Sequence, residues 1–152
     1  MSGTGEPGYT PPDLSLFGEE HVRRYRETGG AVGHEWSGVH TLLLTTTGRK
    51  SGQPREQPMI YGTDGARYVV IASQGGAPAH PAWYLNLVAD PSVEVQVGPD
   101  RFAAVAHAVE GDERDRLWTL MAEIWPNFDV YATRTARRIP VVVIERVGSS
   151  PS

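Results

Sequence analysis

The sequence predicts an α+β domain built on a six-stranded antiparallel sheet able to close on itself, with helices around it. Short apolar and β-branched runs recur from Val39 to Val147, and several are joined by tight-turn signals such as Asp64-Gly65 and Gly98-Pro99-Asp100. Helical spacing falls between the hairpins rather than after every strand, which argues against the alternating order of a parallel sheet. At 152 residues the chain is long enough for one core.

Residues 1–13, "MSGTGEPGYTPPD", are rich in Gly, Pro, Ser and Thr and read as a disordered arm; 14–147 read as one domain and 148–152 as a flexible tail. "LFGEEHVRRYRETGG" has Glu19 and Glu20 early, Arg23, Arg24 and Arg26 later, and a Gly29-Gly30 stop, the charge order a helix dipole favours. Its apolar positions, Leu16, Phe17, Val22 and Tyr25, are few, so a surface helix is expected, with an edge element, a lid or a weak peripheral membrane contact as alternatives.

"VHTLLLTTT", "PREQPMIYG" and "RYVVIAS" are three successive strands, the last two joined by "TDGA". "HPAWYLNLVADP" is a two-turn helix, with Pro81 suited to its first position and Asp90-Pro91 its stop. "SVEVQVG" alternates Val93, Val95 and Val97 with polar residues and turns through "GPD" into "RFAAVAHAVE", a second hairpin. "GDERDRLWTLMAEIW" sets Leu117, Leu120, Met121 and Ile124 at helical spacing; after Pro126 a short "FDVYATRT" piece leads to the last strand, "IPVVVIERV".

A net charge of −4 argues against general affinity for nucleic acid or anionic membrane. The absence of cysteine removes thiolate chemistry and cysteine metal sites, so redox activity would need a bound cofactor. The five histidines form no metal-binding pattern, and no nucleophile elbow or carboxylate pair is visible. With no secretory leader or membrane span, the expected location is cytoplasmic.

Three stretches carry candidate chemistry. "TTTGRKSGQPR" joins Gly48, Arg49, Lys50, Ser51 and Arg55 with no acid among them. It has the outline of an anion site, in which glycine turns N–H groups inward, hydroxyls donate and guanidinium groups match phosphate oxygens; an exposed hairpin loop with solvated cations is the alternative. It is neither a P-loop nor a dinucleotide fingerprint. "IASQGGAPAHPAWYLNL" runs from a strand through Ser73 and a Gly-rich loop into a helix, a wall suited to a flat polar ring; taken by itself, Trp83 reads first as a core residue. In "WTLMAEIWPNFDVY", Trp118, Trp125, Phe128 and Tyr131 are too irregularly spaced for one helical face and suit a pocket wall, with ordinary burial as the competitor.

Together, "LLLTTTGRKSGQPR", "VVIASQGGAPAHPAWYLNL" and "IPVVVIE" closely resemble the deazaflavin-dependent nitroreductase family, actinobacterial-type proteins with a split β-barrel of the flavin-reductase kind. The resemblance runs from about Phe17 to Glu145. It implies coenzyme F-420, an 8-hydroxy-5-deazaflavin whose tail carries a phosphodiester and several glutamates. By the resemblance, Gly48, Arg49, Lys50, Ser51 and Arg55 hold the tail, while Ala72, Ser73, Gln74, Gly75, Gly76, His80, Pro81 and Trp83 contact the ring. The implied reaction is hydride transfer to a conjugated acceptor, a quinone, an enone or a nitroaromatic, in a pocket of Trp125, Phe128 and Tyr131, with Tyr131 or Ser73 assisting the proton. Gln74 stands where many relatives have lysine, and Trp125 and Phe128 replace tyrosines common in relatives. The alternatives are a carrier that binds the coenzyme without turnover, a related barrel using FMN or haem, and a cofactor-free isomerase or cyclase. A monomer or a homodimer is expected.

Overall fold

Strands form where the β-branched runs predict them, but in eight segments rather than six. The structure, a computed structural model, describes Leu16 and residues 18–73 and 76–147. The expected arm at 1–13 and tail at 148–152 lie outside the described residues, as do Phe17, Gln74 and Gly75. The elements are α1 (Gly18–Thr28), β1 (Glu35–Trp36), β2 (Val39–Thr47), β3 (Pro54–Ile60), β4 (Gly62–Asp64), β5 (Arg67–Ile71), α2 (Ala82–Ala89), β6 (Ser92–Val97), β7 (Asp100–Val109), α3 (Gly111–Ile124), α4 (Asn127–Thr133) and β8 (Val141–Arg146).

All pairings are antiparallel, in the order β1-β2-β6-β7-β8-β5-β4, with β3 attached to β2 alone. The two strands not expected have local causes. Ser37, at φ 51, and Gly38 make a tight turn that folds Glu35–Trp36 back on the start of β2. "PREQPMIYG", read as one strand, breaks at Tyr61, because β3 follows β2 as far as Ile60 opposite Thr41, whereas β4 pairs with β5. One straight segment cannot satisfy both neighbours. The seam between β3 and β5 is left without a ladder, and the barrel is split there.

Alternation along the strands sorts their side chains into two cores. Leu42, Leu44, Val70, Val95, Val142 and Ile144 point inside the barrel with Trp83 and Leu87 of α2. Val69, Ile71, Val141 and Val143 point outward and are covered by Leu117, Met121, Trp125 and Phe128 of the α3–α4 region. β5 and β8 are thus buried on both faces, which is why their sequences are uninterrupted apolar runs.

α1 is not the surface helix expected from its thin apolar content. His21 and Tyr25 are buried, and Tyr25 is fully enclosed, its hydroxyl donating to the Thr41 carbonyl at 2.9 Å and accepting from the Gly98 N–H at 2.8 Å. Burial pushes the Tyr25 phenol up to about 12, so it stays protonated. Arg26 reaches Glu56, Gln96 and Thr45, fastening the helix across β2, β3 and β6. At its end Gly30 meets Gly98 backbone to backbone, and a Cβ on Gly30 would lie 2.6 Å from the Gly98 Cα. Among the described residues, no helix is long and apolar enough to cross a membrane.

Replacing Tyr25 by Phe keeps the packing but leaves the Gly98 N–H without its acceptor. Urea denaturation is expected to show a loss of about 1–3 kcal/mol, whereas a surface helix would lose nothing measurable.

Candidate functional site

The turn between β2 and β3 is closed by its own backbone. The Gly48 N–H donates to the Gln53 carbonyl at 2.8 Å, the Gly52 N–H to the Gly48 carbonyl at 2.8 Å, and the Gln53 N–H to Ser51 Oγ at 3.1 Å. Arg49 is set by Asn86, whose Oδ1 accepts from the Arg49 backbone N–H at 3.1 Å and from its Nη1 at 3.0 Å. Asn86 is buried on α2, and its Nδ2 donates to Thr46 Oγ1 at 3.2 Å, so one amide ties helix, strand and turn together. Lys50 and Arg55 are exposed. Among the described residues no carboxylate pairs with Arg49, Lys50 or Arg55, although most other arginines have acidic partners. Gly48, Arg49, Lys50, Ser51 and Arg55 line a groove of about 320 Å³, closed by Gln57 of β3 and by Trp83 and Asn86 of α2.

Gln57 and Trp83 also line a second cavity, of about 420 Å³, at the split between β3 and β5. Gln57 to Ile60 form one wall, Ile71 and Ser73 at the end of β5 another, and Trp125, Phe128 and Tyr131 a third. His21, Trp36 and Thr41 complete its lining. There the polar atoms are largely spent: His21 Nε2 bonds the Gly33 carbonyl at 2.9 Å and the Thr41 hydroxyl donates to the same oxygen at 2.6 Å, which makes His21 the Nε2–H tautomer. By contrast, the Tyr131 and Ser73 hydroxyls and the Gln57 amide bond no other described side chain or backbone group. Phe128 and Tyr131 meet edge to face at 6.1 Å, and Trp36 lies 6.0 Å from Trp125.

The loop after β5 is held from behind by Arg137. Its Nε donates to the Ala77 carbonyl at 2.8 Å, Nη1 to the Ala72 carbonyl at 3.2 Å and to His80 Nδ1 at 3.0 Å, and Nη2 to the Ser73 carbonyl at 2.7 Å. His80 therefore accepts at Nδ1. Burial and the Arg137 charge hold its pKa below the ordinary value, consistent with a neutral ring. Gly76, at φ +84, runs against α4, where a Cβ would lie 2.6 Å from the Tyr131 carbonyl oxygen.

The five residues of the cationic turn share one groove, and Trp125, Phe128 and Tyr131 share one cavity with Ser73 and Trp83. Trp83 is both a core residue, at 5% exposure, and a wall of both spaces. Ala72, Gly76, His80 and Pro81 do not line either space; they support the loop that does. Gln74 and Gly75 lie outside the described residues. Trp118 is elsewhere, its indole N–H donating to Asp129 at 2.7 Å. Asn86, Gln57 to Ile60, Trp36 and Arg137 were not singled out in the sequence. Among the described residues, no three His, Cys, Asp or Glu side chains are grouped to hold a metal.

A split antiparallel barrel here sets a cationic groove, with no paired carboxylate among the described residues, beside an aromatic cavity, and the class of protein is a coenzyme-dependent oxidoreductase. The chain belongs to the F420H(2)-dependent quinone reductase family, whose model matches residues 17–146. It is 45% identical over 147 residues to the F420H(2)-dependent quinone reductase Rv1261c of Mycobacterium tuberculosis, covering 88% of this chain and 99% of the relative. Among solved structures, a reductase dependent on the reduced coenzyme, FDR-A, is 42% identical with a TM-score of 0.65, covering 69% of this chain and 93% of that one. A structure described as a domain-swapped dimer is 36% identical with a TM-score of 0.67, covering 84% and 95%.

His21, His34 and His80 all have pKa values depressed below the ordinary value of 6.5, mainly by burial. The unfolded chain therefore takes up their protons first, so their contribution to stability is complete above that value and is lost as pH falls below it. Urea midpoints are expected to drop between about pH 7.5 and 5.5, and to drop less in His21→Gln. An identical pH slope in the variant would remove His21 from this linkage.

Proposed function

We propose that the chain transfers hydride from reduced coenzyme F-420 to a quinone bound in the cavity at the barrel split. The single observation that carries this reading is that the two spaces share Gln57 and Trp83 as walls, which sets a cationic groove directly beside an aromatic-walled cavity. The residues present fit the coenzyme. Cations without counter-ions suit a phosphodiester and carboxylates, and a cavity walled by Trp83 and the loop after β5 suits a flat ring.

Gly48, Arg49, Lys50, Ser51 and Arg55 hold the tail, with Asn86 fixing the direction of Arg49. Trp83 and the loop from Ala72 to Pro81, Gln74 and Gly75 included, position the ring, and Arg137 keeps that loop in place. When bound and reduced, the coenzyme supplies a hydride to an electrophilic carbon of the acceptor. Trp125 and Phe128 orient the acceptor ring, and with Trp36 they keep bulk water from it. The hydride leaves negative charge on a quinone oxygen, which takes one proton, and tautomerisation then completes the hydroquinone. The Tyr131 and Ser73 hydroxyls, which bond no other described group, hold or deliver a proton there. Enones and nitroaromatics present similar flat faces and are expected to be accepted. A polyanionic coenzyme does not cross a bilayer unaided, which supports action in the cytoplasm.

Quenching of the tryptophans by oxidised coenzyme F-420, titrated beside FMN at low and moderate salt, tests the reading. Selective, salt-sensitive binding is expected. Arg49→Ala with Lys50→Ala is expected to weaken it about tenfold or more while the fold is retained. Unchanged affinity in a folded variant would remove the tail assignment.

Tyr131→Phe is expected to lower kcat for quinone reduction about tenfold or more with coenzyme affinity unchanged. A wild-type rate would assign the proton to water or Ser73.

A further inference from the structure

A third cavity, of about 400 Å³, is lined in part by Arg137, the residue that holds the loop after β5. It is bounded by Arg114, Trp118 and Thr119 of α3, by Ala132 of α4 and by the segment Arg137 to Ile139, with Asp115 at its rim. Three arginines line it, and the carboxylates that pair with two of them are mostly exposed. Arg114 is mostly buried, with 14% of its side chain exposed. Its Nη2 donates to the Ile139 carbonyl at 2.6 Å, but its Nε–H is buried without an acceptor. Its carboxylate partner Asp115 is 3.8 Å away and 72% exposed, and the Glu110 charge also reaches it. Arg138 faces Glu110 at 3.7 Å, both well into solvent. Among the described residues, the Arg137 guanidinium bonds to three carbonyl oxygens and to His80 Nδ1. Asp129, the other acid nearby, is engaged by the Trp118 indole N–H, while the ring of Trp118 stacks under Arg114 at 5.3 Å.

We propose that this cavity binds a small anion, its carboxylate or phosphate oxygens on Arg114 and Arg138, with Arg137 at its wall and any apolar part on Trp118 and Ile139. Guanidinium forks match the planar oxygens of such groups, and partial burial strengthens the pairing over that of a solvated surface pair. Asp115 and Glu110 reach Arg114 and Arg138 only through long, solvent-exposed pairs, which a bound anion can replace. Occupancy also reaches the neighbouring site. An anion in the cavity that Arg137 also lines offsets the burial of its guanidinium without taking its donors, and so favours the present placement of the Ala72, Ser73, Ala77 and His80 acceptors. This coupling rests on the reading of that loop as the wall for the coenzyme ring; the binding of the anion does not.

The full chain, labelled with ¹⁵N, is titrated with sodium benzoate and separately with inorganic phosphate at ionic strength held constant with chloride. The Trp118 indole resonance, assigned with Trp118→Phe, is the readout. A saturable shift with a Kd of about 1–10 mM is expected. It should weaken about fivefold or more in Arg138→Gln and in Arg114→Gln, and persist in Arg49→Gln/Lys50→Gln, which removes the other cationic site. Saturation by benzoate alone assigns a carboxylate with an apolar body, by phosphate alone a phosphate, and by both the head group only. No saturation with either, or a shift undiminished in the exposed Arg138→Gln variant, overturns the site. The coupling is read from the absorbance of coenzyme F-420: its Kd should tighten about twofold or more at saturating anion. An unchanged Kd beside an intact Trp118 shift overturns the coupling, and failure of the coenzyme to bind at all leaves the Trp118 measurement standing.

Discussion

β5 and β8 carry apolar side chains on both faces, and the positions of most other elements follow from the need to cover them. The inner face is closed by curling the sheet around Val70, Val142 and Ile144 and plugging it with Trp83 and Leu87. The outer face needs α3 laid across Val69, Val141 and Val143. Each fully buried valine contributes about 1.5–3 kcal/mol, so a bare outer face would forfeit an amount comparable with the net stability of a whole domain. α3 ends before Pro126, and the remaining cover over the end of β5 comes from Trp125 and Phe128. Since β3 has no ladder to β5, that cover spans a gap, and the gap is the aromatic cavity. Burial and site formation are here one event.

The charge distribution follows a second economy. The chain is acidic overall, and most arginines are matched: Arg23 with Glu20 and Glu27, Arg67 with Asp64 and Glu113, Arg116 with Asp64, Arg101 with Glu94. The Arg116 and Arg67 guanidinium groups hold the Asp64 carboxyl well below the usual carboxylate range. Against that background the cations of the β2–β3 turn stand apart. Exposure keeps their mutual repulsion small, and the absence of a protein counter-ion leaves their capacity available to a ligand.

Much of this was legible locally. The Gly-rich cationic turn, the Gly-rich loop and the α+β antiparallel class are encoded in short windows, because turns and strands answer to neighbouring residues. What was hidden depends on distant partners. Asn86 looks like any polar helix residue until β2 sets Thr46 beside it and Arg49 within reach. Arg137 reads as a solvated loop cation, yet it gathers acceptors from residues 72 to 80. α1 was misjudged because His21 and Tyr25 are amphipathic: their polar atoms find carbonyls and an N–H inside the barrel, and a hydropathy pattern does not register such satisfaction. The break at Tyr61 escaped notice because an unbroken period of two cannot reveal that a strand changes partners partway.

The β2–β3 hairpin carries the anion-accepting turn at its tip and one wall of the acceptor cavity along its stem. The register from Thr41 opposite Ile60 to Thr47 opposite Pro54 fixes Gln57 to Ile60 independently of how many residues the tip contains. Lengthening a surface turn costs little, so insertions or charge changes between Gly48 and Gln53 can drift without moving the wall. The same hairpin therefore separates two selectable traits: lineages can retune tail length and coenzyme retention at the tip while the choice of acceptor evolves in the stem and in α4.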